Sequence, residues 1–274
     1  MDSKRSIERI FKEKSSKNVK SGVITVMHTW HAVRIRDKNA VLRIQRALYV
    51  ERLLLHAPRI PVILQMGPPY LPPKSITKPQ YTLVLDLDQT LIHGSRGCLK
   101  HRLATLTVRM GAKEKILIYA RPYLIHFLEE LSRLYEIIVY TATTAGLAKQ
   151  VVEWINRGHK IVSHVLYEKH CFRQNGEYIK CLARLGRDLA RTVFIDDHYV
   201  QVAYNWKNAI QVSAWTALRS YGNDDLLRLL PLLRLLAKMQ DVRPALERLN
   251  TLRSFPQYRL EETGEWINDA LGKH

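Results

Sequence analysis

The sequence predicts an α/β fold: a Rossmann-like, mostly parallel sheet with helices on both faces, preceded by a basic N-terminal extension. Three observations predict it. Four short apolar runs, TLVLDLD (82–88), KILIYA (115–120), EIIVYT (136–141) and RTVFIDD (191–197), lack the alternation of a half-exposed strand, so each reads as buried on both faces. Helical patterns stand between several of them: PYLIHFLEELSRLY (122–135), TAGLAKQVVEWINR (144–157) and YIKCLARLG (178–186). Strands that alternate with helices in this way pair in parallel. Finally, polar residues gather where the runs end, and the carboxyl ends of parallel strands are where such folds build their sites.

The 274 residues suffice for one large α/β domain plus an extension. A chain that is 46% apolar and 25% charged has the composition of a globular protein, which excludes wholesale disorder. We place the extension at residues 1–80, the α/β domain at 81–249 and a tail at 250–274. The extension ends in GPPYLPPKSITKP (67–79), which resists helix and sheet and reads as a connector. Upstream, VITVMHTWHAVRIR (23–36) suggests a strand or hairpin, and AVLRIQRALYVERLLLH (40–56) a basic amphipathic helix packed on the main domain. His28 and His31 are read as structural.

The net charge is +18, from 43 Lys and Arg against 25 Asp and Glu. Residues 1–80 hold 16 and 5 of these, leaving 27 and 20 for the remainder. The basic excess therefore belongs mainly to the extension, as a docking surface for an acidic partner. Nucleic acid is the less favoured partner, because no stacking platform or recognised module accompanies the charge. Three cysteines make no disulfide framework and favour a reducing compartment. The most apolar window, residues 226–239, is interrupted by Arg228, Arg234 and Lys238, so no membrane span is expected. The N-terminus lacks the apolar core of a secretory signal, and Asp2, Glu8 and Glu13 count against a mitochondrial presequence while leaving that destination open.

The chemistry begins at Asp86-Leu87-Asp88-Gln89-Thr90. Two carboxylates two residues apart, leaving a buried strand, point to one side and repel each other. A divalent cation resolves that conflict, and hard oxygen donors favour Mg²⁺. Thr141 ends EIIVYT, Lys180 lies in Tyr178-Ile179-Lys180, and Asp196-Asp197 end TVFI. Together these supply a nucleophile, a phosphate-oxygen donor, a positive charge and a metal ligand, the parts that phosphoryl transfer needs. Singly, each has a plainer reading: Asp86 or Thr141 as a helix cap, Lys180 as a surface lysine. The ordered set favours a catalytic or formerly catalytic site.

The set resembles the haloacid dehalogenase superfamily, and within it the small C-terminal-domain phosphatases, whose DLDETLVH-type motif stands here as DLDQTLIH (86–93). The likeness continues through Ala120-Arg121-Pro122, Tyr140-Thr141-Ala142, Tyr178-Ile179-Lys180, Leu185-Gly186-Arg187-Asp188-Leu189 and Ala214-Trp215. The resemblance implies a two-step phosphomonoester hydrolysis in which Asp86 becomes an aspartyl phosphate and Asp88 serves as general acid, then general base. It implies Mg²⁺ between Asp86, the backbone carbonyl of Asp88 and Asp197, with Asp196 supporting the metal. Thr141 and Lys180 would hold the phosphoryl oxygens, Thr90 would orient Asp88, and Arg121 would be a structural or phosphate-side cation. Three departures stand out. Gln89 replaces Glu, Cys181 replaces the Asp that would anchor Lys180, and Asp196-Asp197-His198-Tyr199 replaces Asp-Asn-Ser-Pro.

The expected function is a Mg²⁺-dependent protein serine/threonine phosphatase. Resemblance suggests substrates such as the repetitive tail of RNA polymerase II, and a nuclear or cytosolic home. Two other readings compete with it. One is a non-catalytic scaffold on the same fold, as in mitochondrial protein import. The other is a nucleic-acid end phosphatase that uses the extension as a clamp.

Overall fold

The computed structural model describes residues 24–28, 31–35, 62–97, 99, 103–111, 114–174, 177–219 and 222–253. The chain forms two compact units, Met1–His56 and Ala57–His274. The first contains an antiparallel hairpin of β1 (Ile24–His28) and β2 (His31–Ile35), with His28 paired to His31 at the turn. The helix expected over residues 40–56 and the tail beyond residue 253 lie outside the described residues.

The described part of the second unit starts with one helical turn, α1 (Val62–Gln65), and the proline-rich stretch. Its elements then run β3 (Tyr81–Leu85), β4 (Ile92–Ser95), β5 (Leu106–Met110), β6 (Glu114–Ala120), α2 (Leu124–Ser132), β7 (Tyr135–Tyr140), α3 (Ala145–Ile155), β8 (Val162–Leu166), β9 (Phe172–Gln174), β10 (Glu177–Ile179), β11 (Thr192–Asp196), α4 (Tyr199–Tyr204), β12 (Ala209–Gln211), α5 (Asp225–Leu236) and α6 (Arg243–Arg253).

Five of the strands form one parallel sheet in the order β12-β11-β3-β7-β8. The order reverses at β3, with β7 and β8 added on one side and β11 and β12 on the other. This puts the switch point between β3 and β11. Alternate residues of the central strands enter different cores, which is why their runs are apolar throughout. Leu83, Leu85, Ile137, Val139, Val193 and Ile195 join the core built with α2, α3, α5 and α6. Val84, Ile138, Tyr140 and Phe194 face the other way, against Leu71, Leu182 and Leu185.

Leu71 belongs to the proline-rich stretch, which packs as a strap. The Tyr70 N–H donates to the Arg184 carbonyl (2.7 Å), Arg184 Nε to the Pro68 carbonyl (2.9 Å) and Arg187 Nη1 to the Pro72 carbonyl (2.9 Å). Gly186 lets the strap approach. Its φ is +69°, and a Cβ there would lie 2.8 Å from Pro69 Cβ.

Two expectations are corrected. KILIYA is β6, which pairs antiparallel with both β4 and β5 in a separate three-stranded sheet. An apolar run reports burial but carries no information on pairing direction. Residues 178–186 are not a helix: β10 is followed by a 3₁₀ turn, Leu182–Leu185, closed by left-handed Gly186. The spacing of Ile179, Leu182 and Leu185 is three, which is the 3₁₀ period and lies close to that of an α-helix. Residues 226–239 lie largely in α5, which buries Leu226, Leu229, Leu230 and Leu233 against the core. Among the described residues no helix is long and apolar enough to cross a membrane.

Candidate active site

The chain leaves β3 through a turn that its apolar residues hold down. The Asp86 N–H continues the sheet by donating to the Ile195 carbonyl (2.9 Å), and Leu87, Leu91 and Ile92 are fully buried. The Leu91 and Ile92 N–H groups both return to the Leu87 carbonyl, and Gln89 adopts φ +60° to close the turn. Asp86 and Asp88, two residues apart, emerge close enough together that the Asp86 charge acts on Asp88. From the neighbouring strand, Asp196 and Asp197 arrive at the end of β11. Acceptor oxygens of Asp86, Asp196 and Asp197 lie within 4.8 Å of one another.

Lys180 stands inside this group, 2% exposed. Its ammonium donates to Asp86 Oδ1 and to Asp196 Oδ2, the latter at 2.7 Å. Burial works against its charge, but the two carboxylates outweigh burial and hold the lysine above its ordinary value, so it remains a cation. Asp196 thus provides the anchor that Cys181 does not. Asp88 is pushed up to about 6, chiefly by burial and then by the Asp86 charge, with Lys180 opposing. Asp197 is raised by burial and then by Asp86. Thr141, at the end of β7, is fixed by its N–H to the Leu166 carbonyl (3.0 Å), and its hydroxyl approaches Asp88 Oδ2 at 3.4 Å.

Four carboxylates face one ammonium here. That surplus of hard oxygen donors, three of them converging, fits a divalent cation held by Asp86, Asp196 and Asp197.

Two expected contacts fall elsewhere. The Thr90 hydroxyl donates to Asp197 Oδ1 (3.0 Å) and accepts the Asp197 N–H (3.2 Å), so it positions Asp197 rather than Asp88. Arg121 is fully buried and donates to the Thr90 carbonyl (3.0 Å), Asn223 Oδ1 (3.0 Å) and Asp225 Oδ2 (2.6 Å). It clamps the turn after β3 to the start of α5, so of the two roles expected for it, structural or phosphate-side, these contacts are those of the structural one. Asn223 and Asp225, its partners, were not singled out from sequence. They lie about a hundred residues away with no local pattern to announce them.

The described geometry thus gathers Asp86, Asp88, Thr90, Thr141, Lys180, Asp196 and Asp197 at the switch point, with Arg121 behind them. A family model described as NLI interacting factor-like phosphatase matches residues 81–243, more than half of the chain and the span that holds all of these residues. The chain belongs to that family. Among its relatives, "CTD small phosphatase-like protein 2" of Dictyostelium discoideum is 35% identical over 65% of this chain and 31% of its own length. "Probable C-terminal domain small phosphatase" of the same organism is 34% identical over 61% of this chain and 54% of its own length. The chain therefore spans between about a third and about half of these two relatives. Among solved structures, fission yeast RNA polymerase II CTD phosphatase Fcp1, bound to beryllium fluoride, aligns with a TM-score of 0.44 at 23% identity, covering 69% of this chain and 62% of that one.

Proposed function

We propose that the chain hydrolyses phosphoserine or phosphothreonine monoesters on protein, with Mg²⁺ as cofactor and Asp86 as nucleophile. The observation that carries this reading is the placing of Lys180 between Asp86 and Asp196, beside an Asp88 that burial and the Asp86 charge push up to about 6, so that it takes up a proton more readily than an ordinary carboxylate. A nucleophilic carboxylate needs no base to ionise it, whereas a leaving alkoxide needs an acid.

Lys180 holds Asp86 Oδ1, and the other oxygen, Oδ2, attacks phosphorus. The P–O bond to the substrate hydroxyl breaks as Asp88 delivers its proton to that oxygen, leaving an aspartyl phosphate on Asp86. Asp88, now a carboxylate, takes a proton from water. That water attacks phosphorus, displaces the Asp86 carboxylate and releases inorganic phosphate. Lys180 and the Thr141 hydroxyl donate to phosphoryl oxygens throughout, stabilising charge that grows in the transition state. A cation on Asp86, Asp196 and Asp197 would offset their mutual repulsion and draw charge from the phosphoryl group. Phosphorylated protein is the substrate class, which includes the polymerase tail for which relatives are named, and the nucleus or cytosol is the compartment. The basic extension recruits an acidic partner or substrate.

Purified protein is expected to hydrolyse para-nitrophenyl phosphate with Mg²⁺, and Asp86→Asn to abolish turnover while circular dichroism stays unchanged. Equal rates in wild type and variant would sink the mechanism. No turnover in either would favour a scaffold. Faster release of phosphate from 5′- or 3′-phosphorylated oligonucleotides than from phosphopeptides would favour the nucleic-acid reading.

A further inference from the structure

Lys180 presents a problem of backbone chemistry. It lies past the last paired position of β10, where Ile179 faces Phe172, and before the 3₁₀ turn, so no strand ladder serves its peptide groups. Yet the residue is buried, and buried N–H and C=O groups need partners. Both come from one short segment, α4 and the residue that follows it. Gln201 Oε1 accepts the Lys180 N–H (3.0 Å), and Asn205 Nδ2 donates to the Lys180 carbonyl (3.0 Å). Gln201 Nε2 also donates to the Tyr178 carbonyl, and Asn205 Nδ2 to the Gln201 carbonyl (3.0 Å). Both amide side chains are themselves buried, at 5% and 9% exposure.

The sequence of this segment explains the arrangement. Gln201 and Asn205 are four apart and share one helical stripe, while Val200 and Tyr204, also four apart, form the adjacent stripe. The apolar stripe packs on Ile179 and Cys181, the two neighbours of Lys180. The amide stripe holds Lys180 between them. The same chain, four residues earlier than Val200, supplies Asp196 to the lysine ammonium. One ten-residue segment therefore grips Lys180 at its backbone and at its charge.

We propose that Gln201 and Asn205 are positioning residues that set where the Lys180 ammonium stands. The proposal rests on the phosphatase reading for its kinetic consequence, though not for its structural one. Without the amides the 180 peptide loses both partners and shifts to find others. A displacement near 1 Å at a transition-state donor costs about 100-fold in rate.

The test compares wild type with Gln201→Leu, Asn205→Leu and Ile155→Ala, the last a core change at the C-terminal end of α3, where it touches none of these groups. Two quantities are read at a temperature well below every melting point. One is the rate at which an amine-reactive acetylating reagent modifies Lys180, followed by peptide mass spectrometry. The other is kcat and KM for para-nitrophenyl phosphate with Mg²⁺. In Gln201→Leu, Lys180 should be modified about tenfold faster and kcat should fall by about 10- to 100-fold with KM within a few-fold of wild type. Asn205→Leu should move the same way, and Ile155→Ala should lower the melting temperature without changing either quantity. Unchanged modification in both amide variants would overturn the proposal, as would equal effects in Ile155→Ala at matched stability. If wild type hydrolyses nothing while modification still rises in the amide variants, the phosphatase reading fails and the positioning role stands.

Discussion

The two ends of the central sheet each bury an ion cluster, and the two are balanced in opposite ways. At the carboxyl ends, Asp86, Asp88, Asp196 and Asp197 face the Lys180 ammonium, with the Arg121 guanidinium acting on Asp197 from behind. At the amino end of β7, the single anion Glu136 faces Arg187 through two hydrogen bonds (2.7 and 2.9 Å), with Lys74 at 3.6 Å and His164 at 3.4 Å. The Glu136 cluster is complete as it stands: a bidentate guanidinium matches the carboxylate, and the strap is tied in through Lys74 and Arg187. The Lys180 cluster is short of positive charge, so it has capacity for a cation and for the approach of a positively assisted phosphoryl group. Burial is similar at both ends. What separates a site from a joint is which sign is left over.

The largest test of that contrast is Lys180→Met. Removing a donor aimed at the transition state is expected to lower kcat by about 100- to 1,000-fold, measured with a small aryl phosphate. The metal-free melting temperature should also fall, and Mg²⁺ should restore more of it than in wild type, because the carboxylates lose the ammonium that stands between Asp86 and Asp196. A Mg²⁺ response equal to that of wild type would contradict the charge surplus.

Arg187→Met at the other end should behave differently. It strands a buried carboxylate, a change that costs about 3–5 kcal/mol in denaturant unfolding. The kcat of the molecules that remain folded should be unchanged. A loss of kcat there would mean that the two ends are coupled.

The smallest effect is on pH dependence. Burial alone would raise Glu136, but Arg187, Lys74 and His164 more than reverse this, so its folded value lies below the ordinary 4.5. The stability it contributes is complete above 4.5 and is lost as pH falls through the lowered folded value. His164 adds a loss of the same sign that begins higher. Burial holds its folded value below 6.5, so protons favour the unfolded chain from about 6.5 downward. Glu136→Gln should therefore flatten the acid limb of a melting-temperature profile below pH 4.5. An acid limb as steep as that of wild type would show that Glu136 is not what titrates.

The sequence announces some of this and conceals the rest for physical reasons. Asp86, Thr141 and Asp196 were legible because each stands at the end of an apolar run, and in a parallel sheet such ends meet. β3, β7 and β11 were legible for the same reason. Pairing direction was not, because KILIYA has the same local pattern whether it joins the parallel sheet or, as β6, an antiparallel one. The partner of Thr90 and the choice between two roles for Arg121 were not legible, because Asp197 and the residues around Asp225 come from far along the chain. Gln201 and Asn205 left a faint trace, two amides at helical spacing within a segment of otherwise apolar and aromatic residues. Their meaning appears only when the Lys180 backbone is seen to lack a ladder.

The strap has a practical consequence. A fragment begun at Tyr81, where the family match starts, would retain every catalytic candidate and still lay bare the side of Val84, Ile138, Tyr140, Leu182 and Leu185 that Leu71 covers. It would also deprive Glu136 of Lys74. For recombinant work the useful left boundary is therefore ahead of Gly67, and a shorter version that precipitates would be reporting a missing lid of prolines rather than a faulty enzyme.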